Sequence, residues 1–581
     1  MWFLKNLARF HKEQEVIAAL NSEMDWLLLA DWKVDNGKIL CLIADIKVPG
    51  CCHPLIMLYP TNYPASPPTV RPRQANQHLS THQYRSGELC LEWGPDTWHE
   101  KITGADVLIS AHKLLELENP REDDPSQILA PSRHSLTLGQ ELRFNHWRFI
   151  ADNPLISYTE SLPEKASGTI QFRVVFSRKN VTAFIESFSP LNCEKWYYPT
   201  LPPELEKTTH QIEGYFFKTN LTSDALKYQQ LDSPLDVLEA ENYDVSQLRS
   251  LPTSFALLID ASGGLNLFLT SNKKEWNRFA QVDINQEKEN SRLLPHFTDL
   301  STKTVGIVGL GSAGSKVAIS LARTGIRNFL LVDHDVFLPE NICRHELNWE
   351  DVGQHKIDGI EHQLKLIAQS VNVKCYHVKL SGQEATLIVD GVLSQLGSCD
   401  IIIDATADPC TLNQLSTVAS QQLKPMVWLK IYPSGIGGMI ARFRPNEDPD
   451  PKTTCVALRE YLEKLKLPEI QEAANYTTIN GGGEIIAASD ADVTLIAANA
   501  TRMALDILVK REPSDFPCSL YLIGLSQGWI FDQPFDTIPI DLSEVQPHIT
   551  ESELSENQVS EALDFIERLI SKQKNEDPST G

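Results

Sequence analysis

A chain of 581 residues is too long for one hydrophobic core, and 42% hydrophobic with 22% charged residues is globular composition, which excludes a mainly disordered protein. Its 52 basic and 76 acidic side chains leave a formal charge of −24, which repels a phosphate backbone and argues against a nucleic-acid partner. No apolar run reaches the roughly eighteen residues of a membrane span, Met1-Trp2-Phe3-Leu4-Lys5 lacks the order of a secretion signal, and eleven cysteines without a CxxC pair argue against a disulfide framework, so a cytoplasmic enzyme with no membrane partner is expected.

The first twenty residues read as a helix with Leu4, Leu7 and Phe10 on one side. Strand-like runs at 26–33 and 38–48, joined by Asp35-Asn36-Gly37, and a third from Pro54 to Tyr59 imply an antiparallel meander. The proline-rich stretch Tyr63 to Pro68 cannot continue a central strand, so the chain turns away there. Val107, Leu108, Ala111, Leu114 and Leu115 then repeat with a helical period. Residues 119–135, rich in Pro, Asp, Glu and Ser, mark a linker.

From 136 to about 295 the signals are weak: a strand at Gln171 to Ser177, and a hairpin pairing Phe255–Ile259 with Leu265–Thr270 around Gly263-Gly264. From Thr304 buried-strand runs alternate with helical stretches, the pattern of a parallel α/β sheet. An acidic segment with an amphipathic helix near 556–571 and a polar tail follow. The expected domains are 1–125, 126–295 as a linker or adaptor domain, 296–545, and 546–581.

Gly309-Leu310-Gly311-Ser312-Ala313-Gly314 follows the apolar strand Thr304 to Val308 and opens a helix, so backbone N–H groups there face a phosphate. Asp333, at the end of the next strand, is placed for a ribose hydroxyl. A dehydrogenase shares these features; Asn341, Arg344, Lys356 and the pair Asp404 and Asp408 favour ATP, because fixed cations offset charge at a phosphate and a carboxylate holds Mg²⁺.

With Asn341-Ile342-Cys343-Arg344, Gly353-Gln354-His355-Lys356 and Asp404-Ala405-Thr406-Ala407-Asp408 in order after the fingerprint, residues 300–535 resemble a ThiF-type ubiquitin-activating adenylation domain, Rossmann-like with a mainly parallel sheet. The resemblance implies nucleotide binding by Gly309, Gly311, Gly314, Asp333, Asn341, Arg344 and Lys356, with Asp408 on Mg²⁺. It departs in lacking the zinc-binding cysteine pairs, so no zinc is expected, and in carrying one extra residue before Asp408. Such relatives place an acceptor cysteine in a crossover segment; here that is Cys455, expected to be exposed, mobile and just ahead of a helix from Val456 to Lys464, where a helix N-terminus favours the thiolate. Cys518 is the rival.

Residues 1–125 resemble an α+β ubiquitin-conjugating enzyme: Tyr59 to Pro68 matches its proline segment, and Gly87 to Leu115 aligns through Cys90, Trp98, Thr103 and Val107. Cys90 corresponds to the thioester cysteine. The His-Pro-Asn motif is missing, and His82 stands at its asparagine, with His78 and Tyr84 as lesser alternatives. Together the resemblances imply an α/β multidomain enzyme that adenylates a partner's C-terminal carboxylate, relays it from Cys455 to Cys90 and joins it to an amine, lysine above all. This order of domains resembles the fused enzymes of bacterial anti-phage CBASS operons, whose partner is a CD-NTase; a ubiquitin-like protein is the other partner considered. One glycine fingerprint implies a homodimer, since such adenylation folds work in pairs. The alternatives are a sulfur-carrier adenylyltransferase, a nicotinamide oxidoreductase and a binding-only scaffold.

Overall fold

The computed structural model describes residues 1–118, 137–222, 234–284, 295–466, 477–479, 485–545 and 556–576, apart from 36, 75–76, 81, 85, 144, 178, 192, 199–200, 206–208, 272–275, 369 and 543–544. The chain divides into two compact units, 1–144 and 145–581. The linker expected at 119–135 and the tail from 577 lie outside the described residues.

In the first unit, helices Trp2–Lys5 and Leu7–Glu23 precede β1 (Leu27–Asp35), β2 (Ile39–Val48), β3 (Cys51–Tyr59) and β4 (Thr69–Pro72), an antiparallel meander in that order. Alternate residues of β2 and β3, among them Leu40, Leu42, Ala44, Ile46, Leu55 and Met57, are buried under Ile17, Leu20 and the Gly104–Leu117 helix, as a period of two requires of a one-sided sheet. Beyond the proline segment the chain returns as β4, a strand the sequence did not announce.

Glu13 fastens this unit. Fully buried, it accepts from Tyr59 Oη (2.9 Å), Tyr63 Oη (2.5 Å) and Gly104 N (2.7 Å), and it pairs with Arg9 at 3.1 Å. One carboxylate thereby joins the long helix, the proline segment and the start of the next helix, and its charge is both paired and hydrogen-bonded, as burial demands.

The second unit begins with β5 (Trp147–Asp152), β6 (Ser167–Phe176), β7 (Val181–Pro190), β8 (Trp196–Tyr197), β9 (His210–Lys218), β10 (Thr253–Ile259), β11 (Leu265–Ser271), β12 (Trp276–Arg278) and β13 (Ala280–Ile284). They form one sheet in the order β12-β11-β10-β9-β6-β7-β5-β13, with β8 on β7. Only Phe279 separates β12 from β13, and its N–H donates to Leu267 O of β11 at 2.9 Å. The two ends of the sheet are therefore one length of chain, pairing with β11 through its first half and with β5 through its second, which closes the sheet into a barrel. Phe149, Phe172, Phe188, Phe216, Phe255 and Phe279 share a single core cluster here. The expected hairpin is present in full register, Phe255 facing Leu269 and Ile259 facing Leu265.

The second sheet follows: β14 (Thr304–Val308), β15 (Asn328–Val332), β16 (Asn372–Tyr376), β17 (Ile401–Asp404), β18 (Met426–Ile431), β19 (Gly437–Phe443), a separate pair β20 (Thr477–Ile479) and β21 (Ile485–Ala487), then β22 (Leu520–Gly524) and β23 (Thr537–Ile540). The order is β16-β15-β14-β17-β18-β19-β22-β23. The strands β16-β15-β14-β17-β18 pair in parallel, as expected of a mainly parallel sheet, and the pairings β18–β19, β19–β22 and β22–β23 at its other end are antiparallel. The cause is local: only the short turn at Pro433–Gly435 joins β18 to β19, and a parallel return needs a crossover of a dozen residues or so.

Helices Ser312–Thr324, Lys356–Ile367 and Asp490–Leu508 bury one core with this sheet, and Thr386–Leu396, Pro409–Gln421 and Pro451–Lys464 contribute to another. The amphipathic helix is found at Glu556–Glu576, with Val559, Leu563, Phe565 and Ile566 exposed. No described helix is long and apolar enough to cross a membrane.

Candidate functional site

The glycine loop lies at the carboxyl ends of the parallel strands, where open α/β sheets bind ligands. Each glycine meets a different demand. Gly309 has φ +85°, and a Cβ there would lie 2.9 Å from Thr406 Cγ2; Gly314 packs so that a Cβ would lie 1.8 Å from Gly309 O; at Gly311 a Cβ would meet nothing within 4 Å. The first two are required by the backbone, whereas Gly311 caps the Ser312–Thr324 helix and borders open space, where a phosphate can approach its N–H groups.

Asp333 stands at the end of β15 and is buried, its Oδ2 accepting from Leu310 N (2.6 Å) and its Oδ1 from Asp335 N (2.8 Å). The loop and this carboxylate thus fix one another, and a carboxylate keeps further lone pairs for a ligand hydroxyl. His345, which the sequence did not single out, buttresses them: its Nε2 meets Leu310 O at 2.7 Å and its Nδ1 accepts from Leu347 N at 3.1 Å. Burial pushes His345 below the ordinary histidine range, so the ring is a neutral brace.

The expected cations converge on the same end of the sheet. Lys356, at the start of its helix, is paired with Asp335; partial burial pushes the Asp335 carboxyl up, but the Lys356 hydrogen bond and charge hold it below the usual range. Arg344 donates to Ala488 O at 3.2 Å. Asn341 Oδ1 accepts from Leu338 N at 2.9 Å, so its carbonyl is a cap, and its Nδ2 donates to none of the described residues. A further cation, Lys316, went unread in the sequence: it is buried on the Ser312–Thr324 helix and paired with Glu346 (3.1 Å) and Asp490 (2.7 Å). Its only signal was a lysine in an otherwise small and apolar helical run.

The aspartate loop touches the glycine loop, Ala405 N donating to Val308 O at 2.9 Å. Asp404 is buried and accepts from Thr406 N (2.9 Å) and Oγ1 (2.6 Å); burial nonetheless pushes its carboxyl up to about 6. The extra residue before Asp408 is absorbed by Ala407 in the left-handed region, φ 55°, a conformation costing about 1–2 kcal/mol. Asp408 caps the Pro409–Gln421 helix, its Oδ2 accepting from Thr411 N (2.9 Å) and Oγ1 (2.7 Å). Burial pushes it upward, but hydrogen bonds from Thr411, Ser381 and Cys410 N together hold it below the ordinary carboxylate range. No cluster of three His, Cys, Asp or Glu side chains suited to a metal occurs among the described residues. An ionised Asp408 fits Mg²⁺ as the single protein carboxylate beside phosphates, the usual way that ion is held.

Cys455 departs from expectation. Its helix starts at Pro451, with Asp450 capping Lys452 N (2.9 Å) and Thr453 N (3.1 Å), so Cys455 is inside the helix rather than ahead of it. It is half-buried, and burial raises its thiol pKa against the pull of Arg459 and Lys430; Asp450 and Asp404 add to the rise. The thiol at rest is neutral and shielded, not the exposed thiolate the loop composition suggested. Cys518 packs against the sheet core, and its N–H donates to Tyr521 Oη at 2.8 Å.

In the first unit, Cys90 follows a tight return in which Tyr84 N donates to Glu88 O (2.8 Å), Gly87 N to Tyr84 O (2.8 Å) and Cys90 N to His82 O (2.7 Å). The Gln83 side chain pins this turn, accepting from Leu79 N and donating to Gln77 O and Gly87 O. Trp98 Nε1 donates to Pro64 O at 2.7 Å, tying the far side of the cysteine loop to the proline segment. The His82 ring is 4.0 Å from the Glu118 carboxylate, and the side chain that meets the cysteine is Tyr84, whose Oη accepts from Cys90 Sγ at 3.4 Å. His78 has no such contact among the described residues.

Residues 290–512 match the ThiF family. The ATP-dependent ubiquitin transferase-like protein Cap2 of Pseudomonas aeruginosa is 31% identical over 131 residues, 22% of this chain and 22% of that protein. Cap2 of Vibrio cholerae is 28% identical over 195 residues, 32% of this chain and 31% of its own. The adenylyltransferase and sulfurtransferase MOCS3 of Aedes aegypti is 29% identical over 129 residues, 22% of this chain and 28% of its own. The chain therefore spans well under two thirds of these relatives. Among solved structures, E. coli MccB with AMPCPP and MccA superposes with a TM-score of 0.33 at 15% identity, over 45% of this chain and 69% of that one. The chain thus carries a ThiF-family stretch that includes its glycine loop and, over the matched residues, resembles the ATP-dependent ubiquitin transferase-like Cap2 proteins.

Proposed function

We propose that this protein activates a partner protein's C-terminal carboxylate with ATP, passes it as a thioester from Cys455 to Cys90, and ligates it to an amine, as in ubiquitin-like conjugation. The observation that carries the reading is the joint placement of the glycine loop, Asp333, Arg344 and Lys356 at one end of a parallel sheet, in a chain that also presents Cys90 on a pinned turn.

ATP is the substrate of the first step. The partner's carboxylate oxygen attacks the α-phosphorus, the bond to pyrophosphate breaks, and an acyl-adenylate forms. The helix beginning at Ser312 faces phosphate with its N–H groups, Asp333 takes the ribose, Arg344 and Lys356 offset charge on the departing phosphates, and the Asn341 amide N–H donates to them. Asp408 would hold Mg²⁺, which neutralises phosphate charge when bound. The Cys455 sulfur then attacks the acyl carbon and expels AMP; since burial keeps this thiol neutral, it must be exposed or deprotonated when the adenylate forms. Transfer to Cys90 exchanges one thioester for another. A lysine amine, once it has lost its proton, attacks that carbonyl and leaves an isopeptide bond. By resemblance to the fused CBASS enzymes the partner is a CD-NTase, and by the single glycine fingerprint the protein works as a homodimer.

The test is a non-reducing gel with MgATP and a CD-NTase whose C-terminus is untagged. Thiol-sensitive adducts are expected for wild type, none for Cys455→Ala, and one retained on Cys455 for Cys90→Ala. Adducts that persist in Cys455→Ala would overturn that residue as acceptor. The similarity to MOCS3 favours a second reading, a sulfur-carrier adenylyltransferase. ATP–pyrophosphate exchange without adducts in any variant would select it.

A further inference from the structure

We propose that Tyr84 is a catalytic residue of the Cys90 site: its hydroxyl attends the Cys90 sulfur and donates to it whenever that sulfur carries negative charge. The proposal rests on the thioester reading of Cys90 above. The position that the conjugating-enzyme resemblance assigns to an oxyanion asparagine is His82, and that ring faces the buried carboxylate of Glu118. The group beside the sulfur is instead a phenol, Cys90 Sγ to Tyr84 Oη being 3.4 Å.

The turn is built to keep it there. Backbone bonds from Tyr84 N to Glu88 O and from Gly87 N to Tyr84 O fix the tyrosine on both sides, Gly87 supplies the φ of +90° the turn needs, and the Gln83 amide closes the turn from within. The side chain is 52% exposed, so a large aromatic ring is kept at the surface next to the thiol rather than buried for packing.

The chemistry follows from the contact. At rest the Cys90 thiol donates to the phenol oxygen. When Cys90 loses its proton to water, the bond reverses and the phenol donates to the thiolate. In charging, that sulfur attacks the acyl carbon of the incoming thioester, the bond to the first sulfur breaks, and its electron pair leaves with that sulfur. In discharge the amine nitrogen attacks, the bond between the acyl carbon and Cys90 breaks, the pair returns to Cys90, and the amine proton passes to water. Charging draws on an ionised Cys90 and discharge returns the charge to it, so a fixed donor raises the ionised fraction for the first step and stabilises the leaving group in the second. The hydrogen bond with Cys90, then burial, then the charges of Cys90, Asp96 and Glu88 push the phenol up to about 12, so it stays protonated and acts as a donor rather than a base.

The decisive measurement is the pH dependence of Cys90 alkylation by iodoacetamide in the full chain, read on the Cys90 peptide by mass spectrometry, for wild type and Tyr84→Phe. Loss of one charge-assisted donor to the sulfur is expected to slow the reaction roughly tenfold near pH 7.5 and to leave the rate at high pH little changed. Glu88 and Asp96 are the same in both proteins and do not produce a difference. Unchanged melting of Tyr84→Phe shows that the fold is kept. A superimposable alkylation profile overturns the proposal. Because alkylation uses neither ATP nor partner, that failure is distinct from an absence of adducts on the gel, which would instead overturn the conjugation reading.

Discussion

Gly314 and Gly311 separate folding from binding within one loop. A methyl at Gly314 would lie 1.8 Å from Gly309 O, an overlap that must move backbone, so Gly314→Ala should lose about 1–3 kcal/mol along with nucleotide binding. Gly311→Ala meets no protein atom within 4 Å and should melt like wild type while ATP–pyrophosphate exchange falls at least roughly tenfold, because the methyl occupies phosphate space. A second residue-scale test concerns Asp404. Its carboxyl is pushed up to about 6 by burial, so the cost of ionising it is absent below the ordinary aspartate range and complete above pH 6; stability falls as pH rises between those limits. Asp404→Asn removes this cost of about 3 kcal/mol at neutral pH, and its urea midpoint should draw ahead of wild type between pH 5 and pH 7.5. The glycines and Asp333 were legible because strand, turn and helix are consecutive in the chain. Cys455 was misread although its signal was local: Asp450 followed by Pro451 is a cap and first-turn pair, and it starts the helix ahead of the cysteine. Lys316 and His345 needed partners from distant segments, Asp490 and Leu310, which no spacing announces.

Among elements, the Leu7–Glu23 helix is held by Ile17 and Leu20 in the core and by Glu13, the point at which Tyr59 of β3, Tyr63 of the proline segment and the start of the next helix meet. Glu13→Ala would leave Arg9 without its buried partner and the Gly104 N–H without its acceptor; a loss of about 3–5 kcal/mol is expected, with the first unit's melting transition falling accordingly. Glu13→Gln, which keeps an acceptor, should lose less. The β10–β11 hairpin was readable from alternation around Gly263-Gly264. Of the other barrel strands β6 was read in part, as Gln171 to Ser177, but not its pairing: β6 pairs with both β7 and β9, and β9 lies parallel to β10 across a long excursion, so partners are set by closure rather than by neighbours in sequence. β4 was hidden for another reason: four residues ending in a proline read as loop.

On the scale of the whole molecule, the second unit joins a closed sheet to an open one in a single compact body. Phe279, fully buried at the join of β12 and β13, is the residue on which closure turns. Phe279→Ala should cost about 3–5 kcal/mol, and amide exchange should accelerate together on β5, β11 and β13 while β14 to β18 keep their protection. Ribosomal synthesis runs from one end of the chain to the other, which gives that join a meaning beyond stability. The meander of the first unit has all its strands once Pro72 has emerged, whereas β5, made early, has its β13 partner only after Ile284 is synthesised. During that interval the growing chain carries an unpaired β5 edge, open to mispairing with other nascent chains. Slow translation or chaperone scarcity should therefore fall hardest on the barrel.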